Sequence, residues 1–208
     1  MRIQNSILMT IENGYVDFEN GVITAFGDLA QAAPYAGEVY DAQGGYILPG
    51  FMHAHTHIGI SEEGLRWEGE DCNEPTDPVT PDMRVVDIIN PFDTAIPKAR
   101  RAGVTAAVVC PGSTNVIGGQ AAVIKLCRET NVERMVVKTP CAIKWATGEN
   151  KGRSPMTRMA TAAIFRKTLE KARRYMLRKD ADIMVFTSHP FHDLTKTSAV
   201  LINGKRED

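Results

Sequence analysis

Tyr46-Ile47-Leu48-Pro49-Gly50-Phe51-Met52-His53-Ala54-His55-Thr56-His57 joins an apolar run to three histidines at alternate positions. The run suits a strand buried on both faces. Residues i and i+2 of a strand share a face, so imidazoles at this spacing can converge on one cation. Neutral imidazole nitrogen is a favoured ligand for zinc and similar divalent ions. The alternative is a surface loop with coincidental histidines or a fortuitous metal-binding tract. It is the weaker reading, because the tract follows directly on an apolar strand.

Upstream, Ile7-Leu8-Met9-Thr10-Ile11, Tyr15-Val16-Asp17-Phe18 and Val22-Ile23-Thr24-Ala25-Phe26-Gly27 are separated by Asn13-Gly14 and Asn20-Gly21. Asn-Gly pairs suit the left-handed dihedrals of tight hairpin turns, so this segment predicts a small antiparallel sheet. Gly37 to Ala42, followed by Gln43-Gly44-Gly45, adds a strand and a turn.

Downstream the rhythm changes. Asp93 can cap a helix running to about Ala102, Gly103 ends it, and Val104 to Cys110 forms a buried strand. Strand, helix, strand is the order of a parallel α/β sheet. Arg134 to Ile143 is a further strand that Pro140 weakens. Ser154-Pro155 offers a cap and first-turn proline to a helix with Ala162, Phe165, Leu169, Ala172 and Met176 at helical spacing. Arg166, Lys167, Lys171, Arg173 and Arg174 form its solvated basic face. Asp182 to Phe186 and Ala199 to Lys205 return to short strands with turn chemistry, so both chain ends are expected to build one sheet domain.

The 208 residues, 43% hydrophobic and 24% charged, can bury a real core. With 24 Lys and Arg against 25 Asp and Glu, the net charge of −1 gives no strong field toward nucleic acid or an anionic membrane. Cys72, Cys110, Cys127 and Cys141 lack CxxC spacing and read as reduced thiols. Met1-Arg2-Ile3-Gln4-Asn5 does not open a signal peptide, and no apolar run approaches the roughly 20 residues of a membrane span. The expected location is the cytoplasm. GxGxxG after a strand and a Walker motif are both absent, which argues against nucleotide chemistry.

From Leu48 to Tyr175 the chain resembles the amidohydrolase superfamily, in the branch related to imidazolonepropionase. The resemblance rests on Pro49-Gly50-Phe51-Met52-His53-Ala54-His55-Thr56-His57, Gly69-Glu70-Asp71-Cys72-Asn73-Glu74-Pro75-Thr76-Asp77-Pro78-Val79-Thr80-Pro81 and Ala102-Gly103-Val104-Thr105. It continues through Cys110-Pro111-Gly112-Ser113-Thr114-Asn115-Val116-Ile117-Gly118-Gly119-Gln120, Ala142 to Asn150 and Thr157-Arg158-Met159. Lys179-Asp180-Ala181-Asp182-Ile183-Met184-Val185-Phe186 resembles the strand that returns to the family's β-sandwich.

The resemblance implies a partial TIM-like (β/α) metal-dependent hydrolase barrel over residues 49–177, with a composite β-sandwich from 1–48 and 178–208. His55 and His57 are then metal ligands, and His53 stands where the family has aspartate. Glu149 and Lys144 are further metal candidates, as a middle-strand glutamate and a carboxylated bridging lysine. A salt-bridging lysine and a loop glutamate are the bland alternatives. The glycine-rich loop from Pro111 to Gln120 would let backbone approach a ligand, with Asn115 and Gln120 as substrate contacts and Arg158 as a fork for a carboxylate. The implied cofactor is one or two divalent ions, zinc first, with manganese, iron or nickel also admitted by such ligands. The implied activity is hydrolysis of a small-molecule amide or cyclic amide.

Two later histidines and a proton-transferring aspartate of the family have no match. His189 and His192 fall in the sandwich segment. A complete barrel takes about 250 residues and 49–177 supplies about half of that, so a partner chain is expected to cover the open edge, most simply in a homo-oligomer. A non-catalytic remnant or subunit that keeps part of the metal site is the alternative.

Overall fold

The computed structural model describes the chain except residues 9, 149–153, 178–182, 190, 191, 193 and 208. Strands β1 (Arg2–Leu8), β2 (Ile11–Glu19) and β3 (Val22–Asp28) form an antiparallel meander. β4 (Val39–Asp41) and β5 (Tyr46–Ile47) add to β1 in parallel, giving the order β3-β2-β1-β4 with β5 also on β1. Asn20 (φ 50°) and Gly21 (φ 78°) make the expected hairpin turn.

Asn13-Gly14 does not turn; it lies inside β2, opposite Ser6. A Cβ on Gly14 would come within 2.7 Å of the Leu8 Cβ, so the missing side chain accommodates a register irregularity there. The reversal instead falls between Leu8 and Ile11, and Met9, expected in a strand, lies outside the described residues.

Arg2 anchors this sheet. Its guanidinium donates to Asp17 at 2.7 and 2.9 Å and to the Ala33 carbonyl at 3.0 Å, and it stacks over Tyr15 and Tyr35. Both charged side chains are buried, at 7% and 12% exposure. The bond from Arg2 holds the Asp17 carboxyl below its ordinary range, although burial acts the other way. A depressed folded-state pKa contributes stability that is complete above the unfolded carboxylate range and is lost as pH falls through the folded value. Acid titration followed by circular dichroism is therefore expected to show a stability loss in the wild type that Asp17→Asn lacks. Coincident profiles would mean the pair contributes nothing.

The second sheet has the order β6 (Phe51–Thr56), β7 (Val104–Val109), β8 (Ile117–Lys125), β9 (Val136–Trp145). Only β6 and β7 are parallel, joined through helix α1 (Ala95–Arg101); β8 runs antiparallel to both β7 and β9. The expected wholly parallel sheet is thus corrected to a mixed one. The link from β7 to β8 spans only 110–116, whereas a parallel crossover takes about a dozen residues or more. The short helix α2 (Val132–Met135) precedes β9, and Pro140 sits in that edge strand, outside the paired positions.

The core lies between this sheet and the segment from Ile58 to Ala99. Ile60, Val85, Ile96, Val109, Ile124 and Met135 are each no more than 2% exposed and pack in one cluster. The stretch Tyr46 to Met52 is not buried on both faces, as its composition suggests. It divides at Leu48-Pro49-Gly50 between the two sheets, and Phe51 and Met52 are 57% and 64% exposed. β6 is an edge strand, and no described element pairs with its outer side.

Helix α3 (Arg158–Leu177) starts later than Ser154-Pro155 suggests, because Thr157 supplies the cap: its Oγ1 accepts from the Ala160 amide at 3.1 Å. Among its described side chains only Thr161 is buried. Phe165 stacks on Trp145 at 5.1 Å, while Leu169 and Met176 of the expected stripe are exposed.

The C-terminal strands β10 (Ile183–Phe186), β11 (Thr197–Ile202) and β12 (Lys205–Arg206) form a separate antiparallel sheet, turned at Asn203-Gly204 with positive φ. The Lys179 to Asp182 part of the expected returning strand lies outside the described residues. No helix among the described residues is long and apolar enough to cross a membrane.

Candidate metal centre

β6 carries His53 and His55 on one face, and His57 follows its last residue. The half-buried His57 ring places Nδ1 2.7 Å from the Cys110 carbonyl oxygen, just beyond the neighbouring strand β7. A carbonyl only accepts, so Nδ1 carries the proton and Nε2 keeps its lone pair. That tautomer leaves Nε2 able to bind a metal, with the ring's other nitrogen held by a backbone acceptor.

The His55 and His57 rings meet edge to face with centroids 5.4 Å apart. The Lys144 ammonium, partial burial and the imidazoles of His57 and His53 hold His55 below the ordinary imidazole range. Its neutral form, the one able to ligate, is favoured accordingly.

The turn after His57 is closed by backbone hydrogen bonds. The His57 carbonyl accepts from the Ile60 and Ser61 amides at 3.0 and 2.9 Å, and Gly59 sits at φ 78°. Asp93, 3% exposed, receives the Gly59, Glu63 and Ala95 amides at 2.9, 3.1 and 3.0 Å. The N-cap of α1 is Thr94, not Asp93 as expected, and the Asp93 carboxylate just before it ties α1 to the histidine loop.

Lys144 on β9 donates to the Pro111 carbonyl at 3.1 Å, next in chain to the residue that holds His57. The structure thus brings His55, His57 and Lys144 together. Glu149 lies outside the described residues. Among the described residues no three His, Cys, Asp or Glu side chains form a group able to hold a metal. The two imidazoles fit a divalent ion by tautomer and strand position, and they supply part of a coordination shell. His189 and His192 belong to the link between β10 and β11.

The expected substrate contacts fare differently. Asn115 is 3% exposed, and its amide is committed to the polypeptide: Nδ2 donates to the Glu74 and Asp77 carbonyls at 2.7 Å each, and Oδ1 accepts from the Glu74 amide. It clamps a loop and is not turned to a ligand. Gln120 donates to the Pro81 carbonyl at 3.2 Å, and Arg158 stands exposed at the start of α3. The expected open glycine-rich loop is also corrected: Ile117 to Gln120 belongs to β8, with Gly118 and Gly119 buried. A Cβ on Gly119 would lie 2.4 Å from the Met83 carbonyl oxygen, so these glycines admit a neighbouring backbone.

All four cysteines are free thiols. Burial raises the thiol pKa of Cys72, helped by Glu70, and that of Cys110.

Comparison with known proteins shows the chain to be related to the amidohydrolase superfamily. It is 33% identical over 187 residues to the protein called Amidohydrolase tasK of Hapsidospora irregularis, covering 80% of this chain and 19% of that protein. The first 46% match to a Bacillus cereus imidazolonepropionase spans 52 residues, 24% of this chain and 12% of that protein. The solved structure of an amidohydrolase from Thermotoga maritima MSB8 superposes with TM-score 0.79 at 38% identity, over 86% of this chain and 49% of that chain. No protein-family model matches. The chain spans about half of that solved structure and about a fifth of the Hapsidospora irregularis relative.

Proposed function

We propose that this chain is part of a metal-dependent amidohydrolase that cleaves a carbon–nitrogen bond in a non-peptide amide or cyclic amide, with His55 and His57 as ligands. The observation that carries this reading is the His57 ring, whose Nδ1 is held at 2.7 Å by the Cys110 carbonyl so that Nε2 is left for an ion. When bound, a divalent ion supplies Lewis acidity, acidifying water and polarising a carbonyl. Zinc suits the imidazoles best, as one ion or two. The chain's own residues prepare the site. Cys110 sets the His57 tautomer, the Asp93 clamp fixes the loop behind it, and Lys144 favours the neutral form of His55.

Under this reading residues 49–177 supply part of a barrel, and 1–48 with 178–208 supply its β-sandwich. The proton-transferring aspartate of the family has no counterpart in the sequence. The exposed Phe51 and Met52 on the β6 edge favour a second reading for the isolated chain, a subunit or remnant that keeps the ion and associates through this edge, most simply with its own copy.

The test is elemental analysis of metal per chain, without an affinity tag, for the wild type and a His55→Ala, His57→Ala double variant. Near-stoichiometric metal in the wild type and its loss in the variant are expected. Turnover of cyclic amides by the metal-loaded wild type then separates the hydrolase from the remnant. A wild type that takes up no added zinc, manganese, iron or nickel would overturn the metal reading.

A further inference from the structure

The His57 ring depends on one backbone oxygen, and that oxygen belongs to the link between β7 and β8. Two consecutive carbonyls of this link accept from side chains of the candidate metal centre: Cys110 from His57 Nδ1 at 2.7 Å, and Pro111 from the Lys144 ammonium at 3.1 Å. The Gly112 amide, which shares a peptide plane with the Pro111 carbonyl, donates to the Cys72 carbonyl at 2.6 Å. That plane is therefore held at both ends, by a side chain of β9 and by the Cys72 backbone.

Pro111 couples this plane to the one before it. Its ring fixes φ at about −65°, so the Pro111 ψ is the one soft dihedral between the Pro111–Gly112 peptide and the Cys110–Pro111 peptide. The Cys110 amide is itself tied to the Thr56 carbonyl at 3.0 Å, and Cys110 is 6% exposed. A shift of the Pro111 carbonyl would thus turn the Cys110 oxygen away from His57, because little freedom lies between them to absorb it. Lys144 is half-buried, and a bond from an ammonium to a carbonyl is stronger than one between neutral groups.

We propose that Lys144 and Pro111 are positioning residues that keep His57 in the tautomer able to bind a metal. The ammonium holds the Pro111 carbonyl, the proline ring carries that restraint to Cys110, and the Cys110 oxygen selects the Nδ1–H form of the His57 ring. Lys144 thus acts through the loop, apart from any effect of its charge on His55. The metal role of His57 rests on the function proposed above, whereas its tautomer is a property of the metal-free chain.

Nitrogen NMR of the whole, metal-free chain with isotope-labelled histidine, above the imidazole titration range, reads that tautomer, and a His57→Ala chain assigns the signals. The wild type is expected to carry the His57 proton on Nδ1. In Lys144→Met, and in Pro111→Ala, which retains the Lys144 charge, the ratio of Nδ1–H to Nε2–H is expected to fall about fivefold, the worth of one ordinary hydrogen bond. Lys138→Met removes a cation from an exposed position of the same strand and is expected to leave the ratio unchanged. Zinc titration of the same chains separates this proposal from the metal reading: a wild type that takes up no zinc ends the metal reading and leaves the tautomer result standing. The proposal is overturned if wild-type His57 carries its proton on Nε2, if either Lys144→Met or Pro111→Ala keeps the wild-type ratio, or if Lys138→Met lowers it equally.

Discussion

Asp93→Ala is expected to destabilise the chain by about 4 kcal/mol, because it leaves three amides without their acceptor at a site with little access to water. The carboxylate is 3% exposed and holds Gly59, Glu63 and Ala95 together. Leaving one buried donor unsatisfied costs about 1–3 kcal/mol, and partial relaxation toward water lowers the sum for three. Asp93→Asn is the informative control. Its single carbonyl can replace Oδ1, which serves Glu63 and Ala95, but its amide group then meets the Gly59 N–H with a donor. About half the loss is expected for Asn. Urea unfolding with an unchanged slope measures both. An alanine variant no less stable than the asparagine variant would show that water replaces the carboxylate. Gly59 lies two residues beyond His57, so the alanine variant is also expected to hold metal less tightly than the asparagine variant.

Ile124→Ala is expected to cost about 3–4 kcal/mol, the transfer term plus the cavity left in a packed core. Ile124 is 0% exposed, pairs with Ala107 across β7 and with Val136 across β9, and packs with Val109 and Met135. Ala107 is already small, so little side chain is available on that side to refill the space. Ile23→Ala in β3 is the contrast. Ile23 is 63% exposed, and a change within about 0.5 kcal/mol is expected. The two isoleucines both sit in apolar strand-like stretches, so propensity does not separate them. Equal losses in denaturant unfolding would show that exposure does not rank these sites.

Local features of the chain were legible where the chemistry acts between near neighbours. Asn20-Gly21 and Asn203-Gly204 name their own turns, because only a few residue types tolerate positive φ at both positions. His55 lies on β6 and His57 directly after it, their rings meeting with centroids 5.4 Å apart, and Gly103, at φ 89°, ends its helix as expected. The histidine motif and the segments that follow it also named the superfamily that the comparisons support.

What lay beyond the sequence depends on which segments meet. Asn13-Gly14 carries the same turn signal as Asn20-Gly21 yet lies in a strand opposite Ser6, where a Cβ on Gly14 would come within 2.7 Å of the Leu8 Cβ. The Cys110 carbonyl that sets the His57 tautomer is a backbone atom 53 residues away, so no side-chain pattern marks it. Asn115 resembles a ligand contact in sequence and is a loop clamp in space, because its partners are the backbone carbonyls of Glu74 and Asp77, 41 and 38 residues away. Apolar composition made Phe51 and Met52 core residues; their place on a sheet edge left them exposed. The Asn20-Gly21 and Asn203-Gly204 turns, the spacing of the histidines and the Gly103 helix end follow from short-range sterics and were set by the sequence alone. Burial and the His57 tautomer follow from long-range contacts, and only the tertiary structure decided them.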